Sequence, residues 1–369
     1  MNYADSSGQA GRKGTMQFVE YMKDQAARHP VMEPVDVMKL CYQASFGAEH
    51  LLEDREAAYQ YLLRECDRIQ PEQSEPLYES ISEGICRVNL RAWKCRKLPV
   101  EWIFQMFADT AVKFSQGGKE MFRDCLQEAA ELADIGAFHF SRKDWEEFLK
   151  DYPAENPVAV HHSEAYRLGE RPAYRLVSAR FLRIFPVLEA ILTAEAGSDA
   201  SGRCVVAIDG RCASGKSTLA EQLAMVTGAG VIHMDDFFLP PKLRTEVRLK
   251  EPGGNVHYER FQKEVLPALS RGGDFSYRRF ECSRMEFSEV RQVSGNGILV
   301  VEGAYSCHPK LGNYMTLRVF SDVESEEQLR RIGIRDGEQA LETFKQRWIP
   351  MEENYIAAYG IRKQADIVL

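Results

Sequence analysis

This sequence predicts two architectures in series, a mainly α-helical domain over residues 15–196 and an α/β domain with a mostly parallel sheet over residues 203–369. Three observations carry that prediction. Apolar residues in the first half recur near helical spacing. In the second half, short β-rich apolar runs alternate with helical stretches, the pattern of a parallel sheet covered on both faces. Between them, Ala196–Gly202 reads Ala-Gly-Ser-Asp-Ala-Ser-Gly, a flexible composition that marks residues 197–202 as a linker.

Length and composition agree. A chain of 369 residues exceeds what one core usually serves. Its net charge of −8 argues against a dedicated nucleic-acid or anionic-membrane surface. Nine cysteines are dispersed singly, which fits reduced thiols in a cytoplasmic protein better than a disulfide framework. Residues 1–14 are polar, carry no apolar core of a signal peptide, and are expected to be disordered. No apolar run approaches a membrane span.

In the helical half, Val35–Arg68 spaces Val37, Leu40, Cys41, Ala44, Leu62 and Leu63 along a helix, with Gly47 as its break. Helical patterns return at Leu77–Trp93, Val100–Phe114, Glu120–Leu132 and Arg142–Leu149. A final segment, Arg175–Ala194, should be kinked or divided by Pro186. Glu49-His50 and His161-His162 are candidate metal ligands or acid/base groups. Without a third placed ligand, partly buried and hydrogen-bonded histidines are the preferred reading. Arg167, Arg171, Arg175, Arg180 and Arg183 form a basic run that either binds an anion or lines a solvated face.

In the α/β half, strand Cys204–Ile208 leads through a glycine loop into a helix from Lys216 to Val226. Gly230–Met234 is a second strand, Tyr258–Leu269 a helix, and Phe275–Val293 a hairpin. Strands follow at Ile298–Val301 and Leu317–Phe320, helices at Ser325–Ile334 and Gln339–Ala358, and a last strand at Ala365–Leu369.

The glycine loop, Gly210-Arg211-Cys212-Ala213-Ser214-Gly215-Lys216-Ser217, matches G-x-x-x-x-G-K-[ST] in full, and Thr218 continues it. Glycines let successive backbone N–H groups converge on phosphate oxygens. The helix N-terminus adds unsatisfied donors and a favourable dipole. Lys216 supplies a mobile positive charge, and the Ser217 hydroxyl is placed to ligate magnesium. Asp235 and Asp236 follow the second strand, at the end where parallel sheets hold ligands. One of them either accepts a proton from a substrate hydroxyl or caps the next element.

The segments Ile208–Thr218, Met234-Asp-Asp-Phe-Phe238 and Val301-Glu-Gly-Ala-Tyr305 resemble the uridine kinase-like branch of P-loop kinases, which includes phosphoribulokinase and pantothenate kinase. The resemblance covers residues 203–369 and implies a P-loop kinase fold that uses ATP and Mg2+. It implies Asp235 as general base beside Lys216, and Glu302 with Ser217 as metal support. Arg330, Arg331 and Arg335 resemble the family's lid. Tyr277 and Arg284 match its substrate hairpin, although Arg278 replaces an acidic residue and Cys282 stands near an expected histidine. Asn255 and His257 fall where the family introduces its acceptor, and the aromatics of Phe344–Tyr355 are expected to pack on the core. The implied reaction is γ-phosphoryl transfer to a hydroxyl of a small metabolite, uridine or cytidine first, with a pantothenate- or sugar-phosphate-like acceptor as the alternative. A nucleotide-dependent regulatory NTPase or switch is the reading from another class, and homo-oligomerisation is left open. The first half resembles a helical region found ahead of such kinase domains, and no activity transfers with it.

Overall fold

Residues 18–48, 54–72, 76–113, 118–196, 203–295 and 297–369 are described in the computed structural model. Residues 1–14, the linker 197–202, and Glu49 with His50 lie outside them. The chain divides between Leu182 and Arg183 into two units.

The first unit is mostly helical but not wholly so. Helices run over residues 18–28 and over Pro34–Phe46, Arg55–Arg68, Val100–Lys113, Gly118–Asp134 and Arg142–Asp151. Gly47, at φ 63°, ends the second of these where the break was expected. Leu77–Trp93 departs from its helical reading. It forms an antiparallel hairpin, β1 (Tyr78–Ser82) and β2 (Ile85–Asn89), before the short helix Leu90–Cys95. β3 (Tyr174–Ser178) pairs with β2 from the far end of the unit, so Arg175 opens in a strand rather than a helix. Short apolar runs suit either period, and pairing across some ninety residues of chain, which no local pattern reveals, decides between them. Asn89 stops the strand by accepting hydrogen bonds from the Arg91 and Ala92 amides at 2.8 and 3.1 Å, a helix N-cap.

The second unit begins earlier than the linker composition suggests. Helix Phe185–Ala196 packs against two strands of the second unit's sheet, with Val187, Leu188 and Ile191 fully buried. Pro186 is its second residue, where a missing N–H costs nothing, so it starts this helix instead of kinking one. The burial of this helix sets the limit of the unit ahead of residues 197–202.

The sheet is parallel throughout, in the order β10-β9-β4-β8-β5. Its strands are β4 (Cys204–Gly210), β5 (Gly230–His233), β8 (Ile298–Glu302), β9 (Leu317–Ser321) and β10 (Ile367–Val368). A separate hairpin comprises β6 (Phe275–Glu281) and β7 (Glu286–Val293). All seven residues of β4 are buried, as both covered faces of a parallel sheet require. From β4 the chain builds β5 and β8 on one side, then crosses to β9 on the other. That reversal opens a crevice beyond the carboxyl end of β4. The helix expected over Gln339–Ala358 is broken by a π-helical turn, Phe344–Trp348, between Glu338–Thr343 and Ile349–Tyr359. No helix among the described residues is long and apolar enough to cross a membrane.

Residues 183–369 expressed alone should unfold cooperatively. A fragment starting at residue 203 should lose at least about 5 °C in melting temperature or fail to fold, because three buried aliphatic side chains are removed from the sheet. Equal melting temperatures for the two fragments would place the boundary at the linker after all.

Candidate active site

The crevice is built from the end of β4. Gly210 adopts φ 137°, and a Cβ there would sit 2.0 Å from the Ser321 carbonyl oxygen on β9. Only glycine lets the chain leave the sheet at this point. Gly215, at φ 93°, turns the loop into helix Lys216–Thr227. Between them Ala213 holds φ 57°, a left-handed conformation uncommon for a residue with a Cβ.

Beneath the loop lies Asp209, 1% exposed. Its Oδ1 accepts from the Gly210 and Tyr305 amides at 2.7 and 3.2 Å. Its Oδ2 accepts from the Cys307 amide at 2.9 Å and the Tyr355 hydroxyl at 2.7 Å. Burial pushes this carboxyl up, and those donors oppose the shift. An aspartate inside an apolar strand was the one sequence signal for it.

Lys216 is nearly buried, and its Nζ donates to the Gly210 and Arg211 carbonyls at 2.9 and 2.7 Å. The Ser217 hydroxyl donates to Glu302 Oε2 at 3.1 Å, bringing together the two residues expected to support a metal. Glu302 closes β8, and its strand partner in register on β5 is His233. The His233 Nδ1 lies 2.6 Å from Glu302 Oε1. That hydrogen bond raises the imidazole above its ordinary value against the opposing effect of burial. Sequence reasoning missed His233, since its partner lies 69 residues away.

The two adjacent aspartates have different surroundings. Asp236 is buried and accepts from the Tyr277 hydroxyl at 2.9 Å, with the Arg279 and Arg291 guanidiniums 3.4 and 3.6 Å away. Asp235 has no hydrogen bond or ion pair among the described residues, and it faces a cavity of about 780 Å³. Solvent reaches its carboxylate through the cavity mouth while protein walls surround it. That enclosure, and next the negative charge of Glu302, raise its pKa above the usual carboxylate range.

The cavity gathers many of the expected residues: Lys216, Ser217, Thr218, Asp235, Asn255 and Glu302, together with Arg330, Arg331 and Arg335. Arg331 donates to the Ala213 carbonyl at 3.2 Å, tying helix Ser325–Asp336 to the loop. Arg211 turns away from the cavity toward Asp322 and Glu353. Three expected acceptor contacts are not in its lining. Tyr277 is 2% exposed and spends its hydroxyl on Asp236 and the His233 amide. Arg284 sits on the hairpin turn with its side chain 69% exposed. His257 precedes helix Tyr258–Glu264 with a buried, unpartnered Nδ1, and burial lowers its pKa. In their place the wall uses Phe238, Arg244, Cys282 and Met285. Phe344 and Trp348 also line the cavity instead of packing on the core, whereas Tyr355 is fully buried. Glu352, which sequence reasoning did not single out, is buried and accepts from the Cys212 amide at 2.9 Å.

No family model matches the chain, and no curated protein matches it. The solved structures similar to half of the chain include two kinases. A possible uridine kinase from Bacillus stearothermophilus is 21% identical over 50% of this chain and 100% of its own, with a TM-score of 0.37. A protein named as a candidate fructose transport system kinase, from Silicibacter sp. TM1040, is 20% identical over 50% of this chain and 97% of its own, with a TM-score of 0.38. Neither likeness is deep enough to carry a role across.

Two substitutions test this geometry. Gly210→Ala should lose roughly 2 kcal/mol or more in denaturant unfolding, since backbone must move to admit the methyl group. An unchanged midpoint would mean the close approach to Ser321 is not real. Tyr277→Phe should lose about 1–3 kcal/mol by leaving the buried Asp236 short of a donor. Unaltered stability would return Tyr277 to the list of ligand contacts.

Proposed function

We propose that the second unit is an ATP-dependent kinase that transfers the γ-phosphoryl group to a hydroxyl of a small metabolite. One observation carries this reading. Of two neighbouring carboxylates, Asp236 is consumed by Tyr277 and two arginines, while Asp235 stands unpaired in the cavity that also holds Lys216 and Ser217.

In the proposed reaction the acceptor oxygen forms a bond to the γ-phosphorus as the bond to the β–γ bridging oxygen breaks, leaving ADP. The hydroxyl proton passes to Asp235, whose raised pKa makes it a better base than an ordinary carboxylate. Lys216 stands at the loop mouth, held on two carbonyls it can release for phosphate oxygens. Arg330, Arg331 and Arg335 line the same cavity, paired with Glu327 and Asp336, acids they can release for phosphate oxygens. Ser217 and Glu302 present hard oxygen donors that fit Mg2+, which when bound would neutralise phosphate charge. At the other end, Asn255, Arg244, Cys282 and Met285 leave an acceptor-sized space beside Asp235, which favours transfer over a nucleotide switch. Uridine and cytidine are the first acceptors to test, and pantothenate- or sugar-phosphate-like compounds the next.

Asp235→Asn should lower kcat by about 10²–10⁴-fold with ATP binding retained. The acid limb of the wild-type rate profile should lie above the ordinary aspartate value. Ionising Asp235 costs folding stability as pH rises through its raised pKa, because the folded state holds that proton more tightly than the unfolded chain. The neutral asparagine should therefore also raise the melting temperature at pH 7. A screen of hydroxyl metabolites with no turnover, and ATP hydrolysis that survives the substitution, would remove the kinase assignment.

A further inference from the structure

The first unit has a solvent-open cavity of its own, of about 540 Å³. Lys39, Arg68, Arg91, Arg167 and Arg171 line it, against a single acid, Glu65. Glu65 is already engaged, 2.6 Å from the Arg175 guanidinium. None of the five cations has an ion pair among the described residues. Lys39 donates only to the Val160 carbonyl at 2.8 Å, and Arg91 to the Arg171 carbonyl at 2.5 Å. In a chain of net charge −8, an unpaired cationic concavity is unlike the rest of the molecule.

Four helices converge to supply these cations. Lys39 comes from helix Pro34–Phe46, Arg68 ends helix Arg55–Arg68, and Arg91 lies on helix Leu90–Cys95. Arg167 lies on helix Glu164–Glu170, and Arg171 caps it in a left-handed conformation at φ 47°. Part of the wall is fixed by His162, whose Nδ1 lies 2.8 Å from Asp36 and whose Nε2 lies 2.9 Å from the Tyr174 hydroxyl. Burial drives this imidazole down to about 4, so it is neutral and contributes shape rather than charge.

We propose that this cavity binds a small phosphorylated metabolite, its phosphate monoester held by the arginines and Lys39. Guanidinium groups match phosphate oxygens in bidentate pairs, and four of them here lack a carboxylate. Lys39 is desolvated and repelled by Arg87, which lowers its pKa to about 8, and a bound dianion relieves both effects. The volume exceeds what a phosphate ion needs and leaves room for an organic portion.

The test is calorimetric titration of the full chain carrying Lys216→Ala, which cripples the glycine loop as a competing phosphate site. Inorganic phosphate and glucose 6-phosphate should bind saturably, and glucose should not. Arg68→Gln with Arg167→Gln, whose side chains are exposed and make no hydrogen bond among the described residues, should weaken phosphate binding by about tenfold or more. Lys143→Gln with Lys150→Gln changes net charge equally on another helix and should leave it unaltered. Circular dichroism and melting temperature confirm that each variant is folded. Absence of saturable phosphate binding, equal affinity in the two double variants, or tight heparin binding without phosphate competition would each overturn the proposal.

Discussion

The buried carboxylate of Asp209 is the interaction on which the second unit's site depends. Its four donors belong to the glycine loop, the turn after β8 and the C-terminal helix Ile349–Tyr359. A carboxylate taken from water is costly unless its lone pairs are filled, so these segments stay together or the penalty returns. The same bonds hold Tyr305 at φ 75°, a conformation rarely adopted by a bulky residue. Tyr305 and Ala213 are thus two strained positions flanking one crevice, each kept there by structure around it.

Above Asp209 three carboxylates meet the cations of the cavity wall. Asp235, Glu302 and Glu352 line it with Lys216 among them. Glu302 is offset by His233, and Glu352 takes a loop amide, with burial raising its pKa. Asp235 has no hydrogen bond or ion pair among the described residues, and the charges of Lys216 and His233 offset its burial and the charge of Glu302 only in part. An unpaired carboxylate beside paired ones is a cost to stability, and it is the group on which the proposed function rests.

Much of this was legible in sequence because its signals are local. The eight residues of the glycine loop, the paired aspartates and the apolar run ending in Glu302 each announce their role within a few positions. What was missed depends on distant pairing. His233 matters through register with Glu302, and Glu352 through a loop 140 residues earlier. Tyr277 was assigned outward because the sequence could not show Asp236 turned toward it. In the first unit, β2 needed β3 from far along the chain, and a helical period was the only pattern visible locally. The helix after Pro186 was placed with the wrong unit because a flexible composition is easier to read than a packing partner.

The first unit handles buried charge in the opposite sense. Arg87 is 5% exposed and has no carboxylate within ion-pair distance. It is held by the Gln43 amide oxygen at 2.6 Å and stacks 4.2 Å from the Tyr174 ring centroid. Gln43 in turn donates to the Tyr174 hydroxyl, which meets His162, which meets Asp36. Neutral dipoles can satisfy a guanidinium's donors without cancelling its charge. Its field therefore persists in a medium of low dielectric, where it adds to the larger effect of burial in lowering the pKa of Lys39, against the opposing charge of Asp36. Paired with amides and rings, the Arg87 guanidinium keeps its charge, and the buried Asp36 carboxylate stands at the far end of the same hydrogen-bonded chain.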